Sequence, residues 1–302
     1  MPRVVPGQIN LNAANTVREA QRSIARRLQS AGNESFDVDA RYLLQGILGL
    51  QAAALLSNPT RPLGTAAALA LNAAVNRRLQ GEPVSRILGR RWFYGREFEI
   101  TADVLDPRPD TETIVEAALE IVKEEGWNNR DIRLADIGTG SGALIVTLLA
   151  ELTRATGIAT DISPAALAVA KANAVRHGVV DRAEFIDTRN LGQSQKHFDL
   201  IVANPPYIAS SEIAVLAQDV RDFDPHLALD GGQDGLEIYR EIVSEIKNMV
   251  GPTWVLLEVG AGQTDDVVAL FGGQLPGSEP DRFRVTKDLG GHARCVAVRI
   301  HR

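Results

Sequence analysis

Residues 132–142 read IRLADIGTGSG, an apolar run that passes directly into three alternating glycines. An apolar stretch with helical spacing, residues 143–152, follows at once. This order predicts a buried strand, a tight turn and a helix. Glycines at such a turn let the backbone approach a ligand closely, and the start of the helix leaves N–H groups free to bind it. Taken alone the loop is weak evidence for a ligand, because the same glycines would serve an ordinary tight turn.

Strands and helices alternate from this loop to the end of the chain. Further strands are predicted at residues 158–160, 183–186, 198–203, 254–258, 283–286 and 295–300, and a helix at 164–177. The last two strands read as a hairpin around Gly290 and Gly291. Such alternation predicts an α/β fold with a largely parallel sheet and helices on both of its faces.

An acidic residue, Asp161, ends the strand that follows the glycine loop. A carboxylate at this place can accept hydrogen bonds from both hydroxyls of a ribose. It could instead cap the helix that opens at Ser163 and Pro164. The loop and the acid together fit any adenosine cofactor, NAD included, and their spacing does not decide which.

The tetrapeptide Asn204-Pro205-Pro206-Tyr207 follows the strand predicted at 198–203. It therefore lies at the sheet edge where open α/β folds bind their ligands. The Asn204 side-chain oxygen and the Pro205 carbonyl can both accept from one NH₂ group, which would fix a poorly nucleophilic amide or amine nitrogen. Tyr207 could stack on such a flat group. An ordinary Asn-Pro turn with a packing aromatic is the alternative for the tetrapeptide alone.

The N-terminal part of the chain, residues 1–90, reads as helical. Residues 16–19 form a capping-box pattern, and apolar residues follow at helical spacing. Asp37 is a candidate N-cap for a second helix, and an alanine-rich segment, residues 63–79, predicts another. An aromatic stretch, residues 92–100, predicts a short hairpin that joins this part to the rest.

Charge is distributed unevenly along the chain. Residues 1–100 contain arginine but no lysine and are net positive, whereas the remainder is net negative and the whole chain has a formal charge of −6. The asymmetry suggests two domains with different partners, although a solvated arginine-rich surface explains it equally well. An acidic chain argues against a protein held mainly by the phosphates of nucleic acid.

The single cysteine and the pattern of apolar residues exclude several classes of protein. One cysteine in 302 residues cannot form an internal disulfide and gives no zinc-ligand spacing. No apolar run is free enough of polar residues to predict a membrane span, and the N-terminus lacks the apolar segment of a signal peptide. These patterns predict a cytoplasmic protein with no metal and no membrane partner.

The glycine loop, the acid and the tetrapeptide, at successive strand ends, resemble class I S-adenosylmethionine methyltransferases that methylate a planar nitrogen. DNA adenine-N6 and protein glutamine-N5 methyltransferases both carry this tetrapeptide. Other segments are similar to the HemK/PrmC family of glutamine-N5 methyltransferases: EPVSRILG at 82–89, PRPDTE at 107–112, LDGGQDGL at 229–236, and LEVG at 257–260 with Gln263. The N-terminal part agrees with this family in helical type and in length.

The resemblance implies a class I methyltransferase fold, with a Rossmann-like, mostly parallel seven-stranded sheet, behind an N-terminal helical bundle and a β-hairpin. The corresponding divisions are 1–90, 91–103 and 104–302. It implies methyl transfer from S-adenosyl-L-methionine, leaving S-adenosyl-L-homocysteine, to the N5 nitrogen of the glutamine in the Gly-Gly-Gln motif of class I peptide chain release factors. These translation-termination factors would be the protein partner, with no direct nucleic-acid target.

The resemblance also implies the site, residue by residue. Cofactor contacts are expected at Asp136, Ile137, Gly138, Thr139, Gly140, Asp161, Asn190 and Asn204. Substrate contacts are expected at Asn204, Pro205, Pro206 and Tyr207, of which Asn204, Pro205 and Tyr207 would carry the catalysis. Residues 108–112 would lie beside the cofactor and help to close the site, or else form a rigid helix start capped by Asp110.

Two places depart from the family pattern. Asp106 replaces a common aliphatic residue, and Arg189-Asn190 stand where relatives often have Asp-Trp. Asn190 can still hydrogen-bond the adenine edge, but it cannot stack on the ring. Residues 231–233 spell Gly-Gly-Gln and are interpreted as a turn beside the site, not as a target of self-methylation.

Two other functions remain compatible with the sequence. One is adenine-N6 methylation of nucleic acid, against which the acidic catalytic half and the lack of a target-recognition insertion count. The other is a non-catalytic adapter, against which the intact tetrapeptide counts. Because a glutamine in a short loop offers little surface, the helical part is predicted to select the release factor. Its exposed arginines, such as Arg22, Arg26, Arg77 or Arg78, are the predicted contacts.

Overall fold

The computed structural model describes residues 9–189, 191, 197–247, 253–274 and 282–300. The chain forms two compact units, Met1–Gly89 and Arg90–Arg302. The first has a single apolar core, and the second has one apolar cluster on each face of its sheet. Among the described residues, no helix is long and apolar enough to cross a membrane.

The first unit is helical. Its helices are α1 (Val17–Ser30), α2 (Phe36–Leu48), α3 (Ala52–Ser57), α4 (Thr65–Leu79) and α5 (Val84–Leu88). The capping box of α1 is present, because the Thr16 hydroxyl accepts from the Glu19 N–H and the Glu19 carboxylate accepts from the Thr16 N–H. The predicted cap at Asp37 is wrong. Ser35 precedes α2, and Asp37 lies in the first turn, where a carboxylate is favoured by the helix dipole.

The second unit opens with a hairpin and then alternates between helices and strands. The hairpin consists of β1 (Arg90–Phe93) and β2 (Arg96–Glu99). The helices that follow are α6 (Glu112–Glu124), α7 (Ala143–Glu151), α8 (Pro164–Arg176), α9 (Gln218–Phe223), α10 (Glu237–Ile246) and α11 (Thr264–Gln274). The strands are β3 (Ile132–Ile137), β4 (Ala155–Asp161), β5 (Ala183–Asp187), β6 (Leu200–Ala203), β7 (Thr253–Glu258), β8 (Phe283–Lys287) and β9 (Ala293–Ile300).

Seven strands form one sheet in the order β5-β4-β3-β6-β7-β9-β8, parallel except for the pairs that β9 makes. The predicted seven-stranded, mostly parallel architecture is thereby confirmed. The chain leaves β3 to one side for β4 and β5 and returns on the other side with β6. That reversal is the switch point at which such sheets open a ligand crevice.

The strand register places the functional segments together. Ile137 is level with both Thr160 and Ala203, and Ala203 is level with Leu257. The residues that follow β3, β4, β6 and β7 therefore leave the sheet side by side at one edge. Helices α6, α7 and α8 cover one face and α10 and α11 the other, which explains why every residue of β6 and every residue of β3 except Arg133 is buried.

Buried Asn173 on α8 ties the hairpin to this edge. Its side-chain oxygen accepts from the Glu99 N–H at 2.7 Å, and its nitrogen donates to the Ser141 carbonyl at 2.9 Å. One amide thus holds both β2 and the glycine loop, and each of its groups is satisfied without solvent.

Candidate active site

A cavity of about 820 Å³ opens at the C-terminal edge of the sheet. Its walls come from the glycine loop, the end of β4, the start of the tetrapeptide, and two covering segments. The covering segments lie within residues 102–111 and 225–238. The volume falls in the range of small-molecule and cofactor sites.

The glycine loop is built for close approach by a ligand. Gly138 and Gly140 have φ of +70° and +54°, which other residues adopt only with strain. The Thr139 N–H donates to the Thr160 carbonyl at 2.8 Å and fixes the loop on β4. A Cβ on Gly142 would lie 3.1 Å from the Ala170 backbone, so the third glycine allows α7 and α8 to pack.

Asp136 lies beneath this loop and is 1% exposed. Its Oδ2 accepts from the Thr139 hydroxyl at 2.6 Å and from the Ile145 N–H at 3.2 Å. Its Oδ1 is buried and has no hydrogen-bond partner among the described residues. Burial raises the pKa of Asp136 to about 7, against the lowering effect of these two hydrogen bonds. The residue lines the cavity, and a carboxyl there, when ionised, is suited to a cationic ligand.

Asp161 bridges the loop and α8. Its Oδ2 accepts from the Gly140 N–H and its Oδ1 from the Ser163 N–H, both at 2.9 Å. Ser163 is the side-chain cap of α8, since its hydroxyl accepts from the Ala166 N–H at 3.2 Å. The Asp161 carboxylate lines the cavity, and each of its oxygens retains capacity for a second donor.

Asn204 lies in the cavity wall, and a hydrogen bond fixes the orientation of its side-chain amide. Its Nδ2 donates to the Thr111 hydroxyl at 3.1 Å, and its carbonyl oxygen has no partner among the described residues. Pro205 and Pro206 also line the cavity. Neither proline has an N–H that could compete for an acceptor.

The Tyr207 side chain does not point into the cavity. It is absent from the cavity wall, its hydroxyl donates to Glu258 Oε1 at 3.4 Å, and its carbonyl accepts from the Gln263 side chain at 3.0 Å. A Cβ on Gly260 would lie 3.0 Å from the tyrosine ring. Burial raises the pKa of the Tyr207 hydroxyl to about 12. Stacking of Tyr207 on a substrate group remains a prediction.

The segment before α6 closes one side of the cavity. Arg108 pairs at 2.5 Å with Asp224, whose side chain is 1% exposed, and this pair joins the segment to the chain that follows the tetrapeptide. Asp110 does not cap α6, because a short 3₁₀ turn over Pro109–Thr111 precedes that helix. Asp110 instead pairs with Arg294 at 3.2 Å.

The sequence reasoning gave no individual role to two site residues, Thr111 and Glu258, although it expected the segment 108–112 to help close the site. Both are buried, and both contact the tetrapeptide. Burial raises the pKa of Glu258 to about 7, while hydrogen bonding with Thr111 and the charge of Arg294 act in the opposite direction. The one available signal is that Glu258 is the only charged residue in the buried strand TWVLLE.

The remaining predicted residues fall into three groups. Asn190 lies outside the described residues, and its neighbour Arg189 lines the cavity. Asp106 is buried and lies 3.6 Å from Arg91. Residues 231–233 form a turn against the tetrapeptide, in which the Gly231 N–H donates to the Ile208 carbonyl at 2.8 Å.

Within the described part of the chain, no group of three His, Cys, Asp or Glu side chains is arranged to hold a metal ion.

Comparison with known proteins gives the family. The model described as the PrmC N-terminal domain matches residues 19–89, and the methyltransferase small domain matches residues 116–232. The release factor glutamine methyltransferase of Bradyrhizobium diazoefficiens is 42% identical over 94% of this chain and 95% of its own. That of Rhodospirillum rubrum is 43% identical over 91% of this chain and 82% of its own.

A solved structure shares the fold. The hMettl16 catalytic domain, in complex with a MAT2A 3′UTR hairpin, is 16% identical and covers 77% of this chain and 81% of its own, with a TM-score of 0.52. At that identity the likeness concerns the fold alone. The identities over nearly the whole length decide the family: the chain belongs to the release factor glutamine methyltransferases.

Proposed function

We propose that the protein transfers a methyl group from S-adenosylmethionine to the N5 amide nitrogen of the glutamine in the Gly-Gly-Gln motif of class I peptide chain release factors. The observation that carries the proposal is the fixed amide of Asn204. Its nitrogen is engaged by Thr111, so its carbonyl oxygen is left at the cavity wall as an acceptor. Family membership over nearly the whole chain supports the same substrate class.

The cavity fits the proposed cofactor. The Asp161 carboxylate would accept from ribose hydroxyls, and the backbone of Gly138 and Gly140 allows close approach. The Asp136 carboxyl, whose residue lines the cavity, would lie close to a cationic part of the ligand. S-adenosylmethionine supplies a methyl group that its sulfonium already activates. Asn190 stays a proposed contact to the adenine edge.

The tetrapeptide would prepare the acceptor. The Asn204 side-chain oxygen and the Pro205 carbonyl would accept from the two N–H bonds of the glutamine amide and stabilise positive charge as it develops on nitrogen. The nitrogen must lie roughly 3–3.5 Å from the methyl carbon. The nitrogen lone pair would form the new N–C bond as the C–S bond breaks, the electron pair of the C–S bond would stay on sulfur, and one proton would leave the nitrogen for water.

Selection of the release factor is assigned to the first unit. Arg22 and Arg26 are exposed and lie one turn apart on α1, with Arg18 on the same side of the helix. These three arginines line a shallow groove of about 320 Å³ between α1 and the start of α2. An acidic face of the release factor would complement it, in the cytoplasm where translation terminates.

The arginines of α4 are less suited to this role. Arg77 pairs with Glu82 at 2.5 Å, and Arg78 pairs at 2.6 Å with Asp39, which is 8% exposed. Arg77 is thereby engaged by a neighbour in the chain, although its side chain is 47% exposed, and the largely buried Arg78–Asp39 pair joins α4 to α2. A buried pair is costly to break on one side only, so we assign the partner contact to α1 and not to Arg77 or Arg78.

Transfer of a tritiated methyl group tests the proposal. The full-length protein is incubated with labelled S-adenosylmethionine and a purified class I release factor, the same factor with its Gly-Gly-Gln glutamine changed to alanine, or duplex DNA. We expect label only in the unchanged release factor. Label in DNA, or equal label in the altered factor, would overturn the assignment.

A further inference from the structure

The two segments that cover the cavity, residues 102–111 and 225–238, are joined by an ion pair. Arg108 Nη2 lies 2.5 Å from Asp224 Oδ2, and Pro225, which follows Asp224, lines the cavity. The Asp224 side chain is 1% exposed and that of Arg108 is 34% exposed. Because a hydrogen bond between two ionised groups is short and strong, the pair fixes the two segments against each other.

The same arginine begins the turn that carries Thr111. The Arg108 carbonyl accepts from the Thr111 N–H at 3.1 Å, which closes the short 3₁₀ turn over Pro109–Thr111. The Thr111 hydroxyl in turn accepts from Asn204 Nδ2 at 3.1 Å. A continuous series of contacts therefore leads from Asp224 through Arg108 and Thr111 to the Asn204 amide. Since each contact fixes the next, the position of Arg108 sets the orientation of that amide.

The cavity wall that begins after Asp224 is also held at its other end. The Ile208 N–H donates to the Leu229 carbonyl at 3.1 Å, and the Gly231 N–H donates to the Ile208 carbonyl at 2.8 Å. Ile208 directly follows the tetrapeptide, so these two bonds tie the wall to the residues that would bind the acceptor. The ion pair of Asp224 holds the beginning of the same wall, which is therefore fixed at both ends.

We propose that Arg108 and Asp224 are a positioning pair for methyl transfer: their ion pair fixes the turn that orients Asn204 and the cavity wall beside the tetrapeptide. The proposal rests on the proposed function of Asn204. It assigns neither residue a contact with the substrate or with the methyl group. Loss of the pair would let Asn204 shift from the acceptor nitrogen, and a misplacement of about 1 Å can cost roughly 10²-fold in rate.

A second ion pair of the same kind provides the control. Arg130 Nη2 lies 2.6 Å from Asp199 Oδ1, and the two side chains are 42% and 6% exposed. Asp199 directly precedes β6, at the edge of the sheet opposite the cavity, and neither partner lines that cavity. Both pairs thus combine a partly exposed arginine with a buried aspartate. If the Arg108 pair only stabilised the fold, loss of either pair would have the same effect on turnover.

Four variants test the pair against this control. Arg108→Met and Asp224→Asn each remove one charge, the double variant removes both, and Arg108→Lys keeps the positive charge. Arg130→Met is the control variant. The measurements are the melting temperature, the dissociation constant of S-adenosylhomocysteine, and kcat with cofactor and release factor both saturating. The side-chain amide resonances of Asn204, assigned in ¹⁵N-asparagine-labelled protein with the help of Asn204→Ala, report its environment without any need for activity.

We expect Arg108→Met and Asp224→Asn to lower kcat by roughly 10–100-fold, with the affinity for S-adenosylhomocysteine within about threefold of wild type. Because the partners act as one unit, kcat of the double variant should lie within about threefold of the slower single variant. Arg108→Lys should turn over faster than Arg108→Met. Arg130→Met should lower the melting temperature but keep kcat within about twofold of wild type. The Asn204 amide resonances should shift in Arg108→Met and not in Arg130→Met.

Three results would overturn the proposal: Arg108→Met turns over like Arg130→Met, the losses of the two single variants multiply in the double variant, or the Asn204 resonances stay unchanged in Arg108→Met. Should Arg108→Met not fold, the double variant takes its place in the comparison with Arg130→Met. A wild-type protein that methylates no release factor would contradict the proposed function itself. The Asn204 resonances still test the pair in that case, because they do not depend on turnover.

Discussion

The Gly140 N–H donates to Asp161 Oδ2 at 2.9 Å, so the acid that ends β4 also fixes the glycine loop that follows β3. The same carboxylate holds the start of α8 through the Ser163 N–H. A ribose bound at Asp161 would therefore meet a loop that is already in position. Preorganisation of this kind lowers the entropy lost on binding.

Replacement of Asp161 by alanine should weaken S-adenosylmethionine binding. The change removes hydrogen bonds to a charged acceptor, each worth about 1.5–3 kcal/mol, and it frees the Gly140 N–H. We expect the dissociation constant from calorimetry to rise by roughly 10²-fold. Asp181→Ala, an exposed aspartate outside the cavity, is the control and should bind normally. Unchanged affinity in Asp161→Ala would remove this residue from the site.

Replacement of Asn204 by alanine should act on turnover. Its acceptor oxygen matters most as positive charge grows on the glutamine nitrogen, so kcat should fall by about 10²–10³-fold while S-adenosylhomocysteine still binds. Single-turnover kinetics with a release factor measures this loss directly. Asn173 is no suitable control, because its amide holds the hairpin and the glycine loop. A near-normal rate would contradict the proposed acceptor geometry.

Cofactor affinity should depend on pH through Asp136. Its raised pKa of about 7 means that the free carboxyl is protonated below pH 7, whereas a cationic ligand favours the ionised form. Binding of S-adenosylmethionine should thus weaken as pH falls below 7, by at most about tenfold per pH unit. Titration calorimetry from pH 5.5 to 8.5 measures the slope. Asp136→Asn should bind weakly and show a flat profile, and an equally steep profile in that variant would exclude Asp136 as its source.

The raised pKa of Asp136 has a second consequence, for the stability of the free protein. A carboxyl whose pKa is higher in the folded state binds more protons when folded, so its contribution to stability is complete below its unfolded value of 3.8 and is lost as pH rises through about 7. Denaturant unfolding of Asp136→Asn should therefore lack part of the decline in stability that the wild type shows over this interval. An identical decline in both proteins would mean that Asp136 does not titrate as described.

Reversal of charge on α1 should separate recognition from chemistry. We expect the double change Arg22→Glu and Arg26→Glu to lower kcat/KM for an intact release factor by tenfold or more at low salt, since rim charges chiefly govern association. Methylation of a free Gly-Gly-Gln peptide should change far less. Equal losses on protein and peptide would mean that the first unit supports the active site and does not select the substrate.

Much of this architecture could be predicted because its signals are local. The glycine loop, Asp161 and Asn204 each follow an apolar run, and the ends of parallel strands meet at one edge whatever the rest of the chain does. The buried face of α1 is equally predictable, because the capping box and the spacing of the apolar residues indicate the same helix.

Other features depend on contacts that spacing does not encode. Asn204 and Thr111 are 93 residues apart in sequence, and Arg108 and Asp224 are 116 apart. The direction of the Tyr207 side chain follows from the packing of Gly260 and Glu258, which no pattern around the tetrapeptide reveals. Acids are favoured both at the N-cap and in the first turn of a helix, so the sequence alone does not decide between these two positions for Asp37.

The most direct test of the central claim is to locate the methyl group. Full-length protein, S-adenosylmethionine and a class I release factor are incubated together, and the release factor is digested and sequenced by tandem mass spectrometry. We predict one added methyl group on the side-chain nitrogen of the Gly-Gly-Gln glutamine, and its near absence with Asn204→Ala under identical conditions. A methyl group on another residue would contradict the account. So would a release factor that stays unmodified although the wild-type protein binds S-adenosylmethionine.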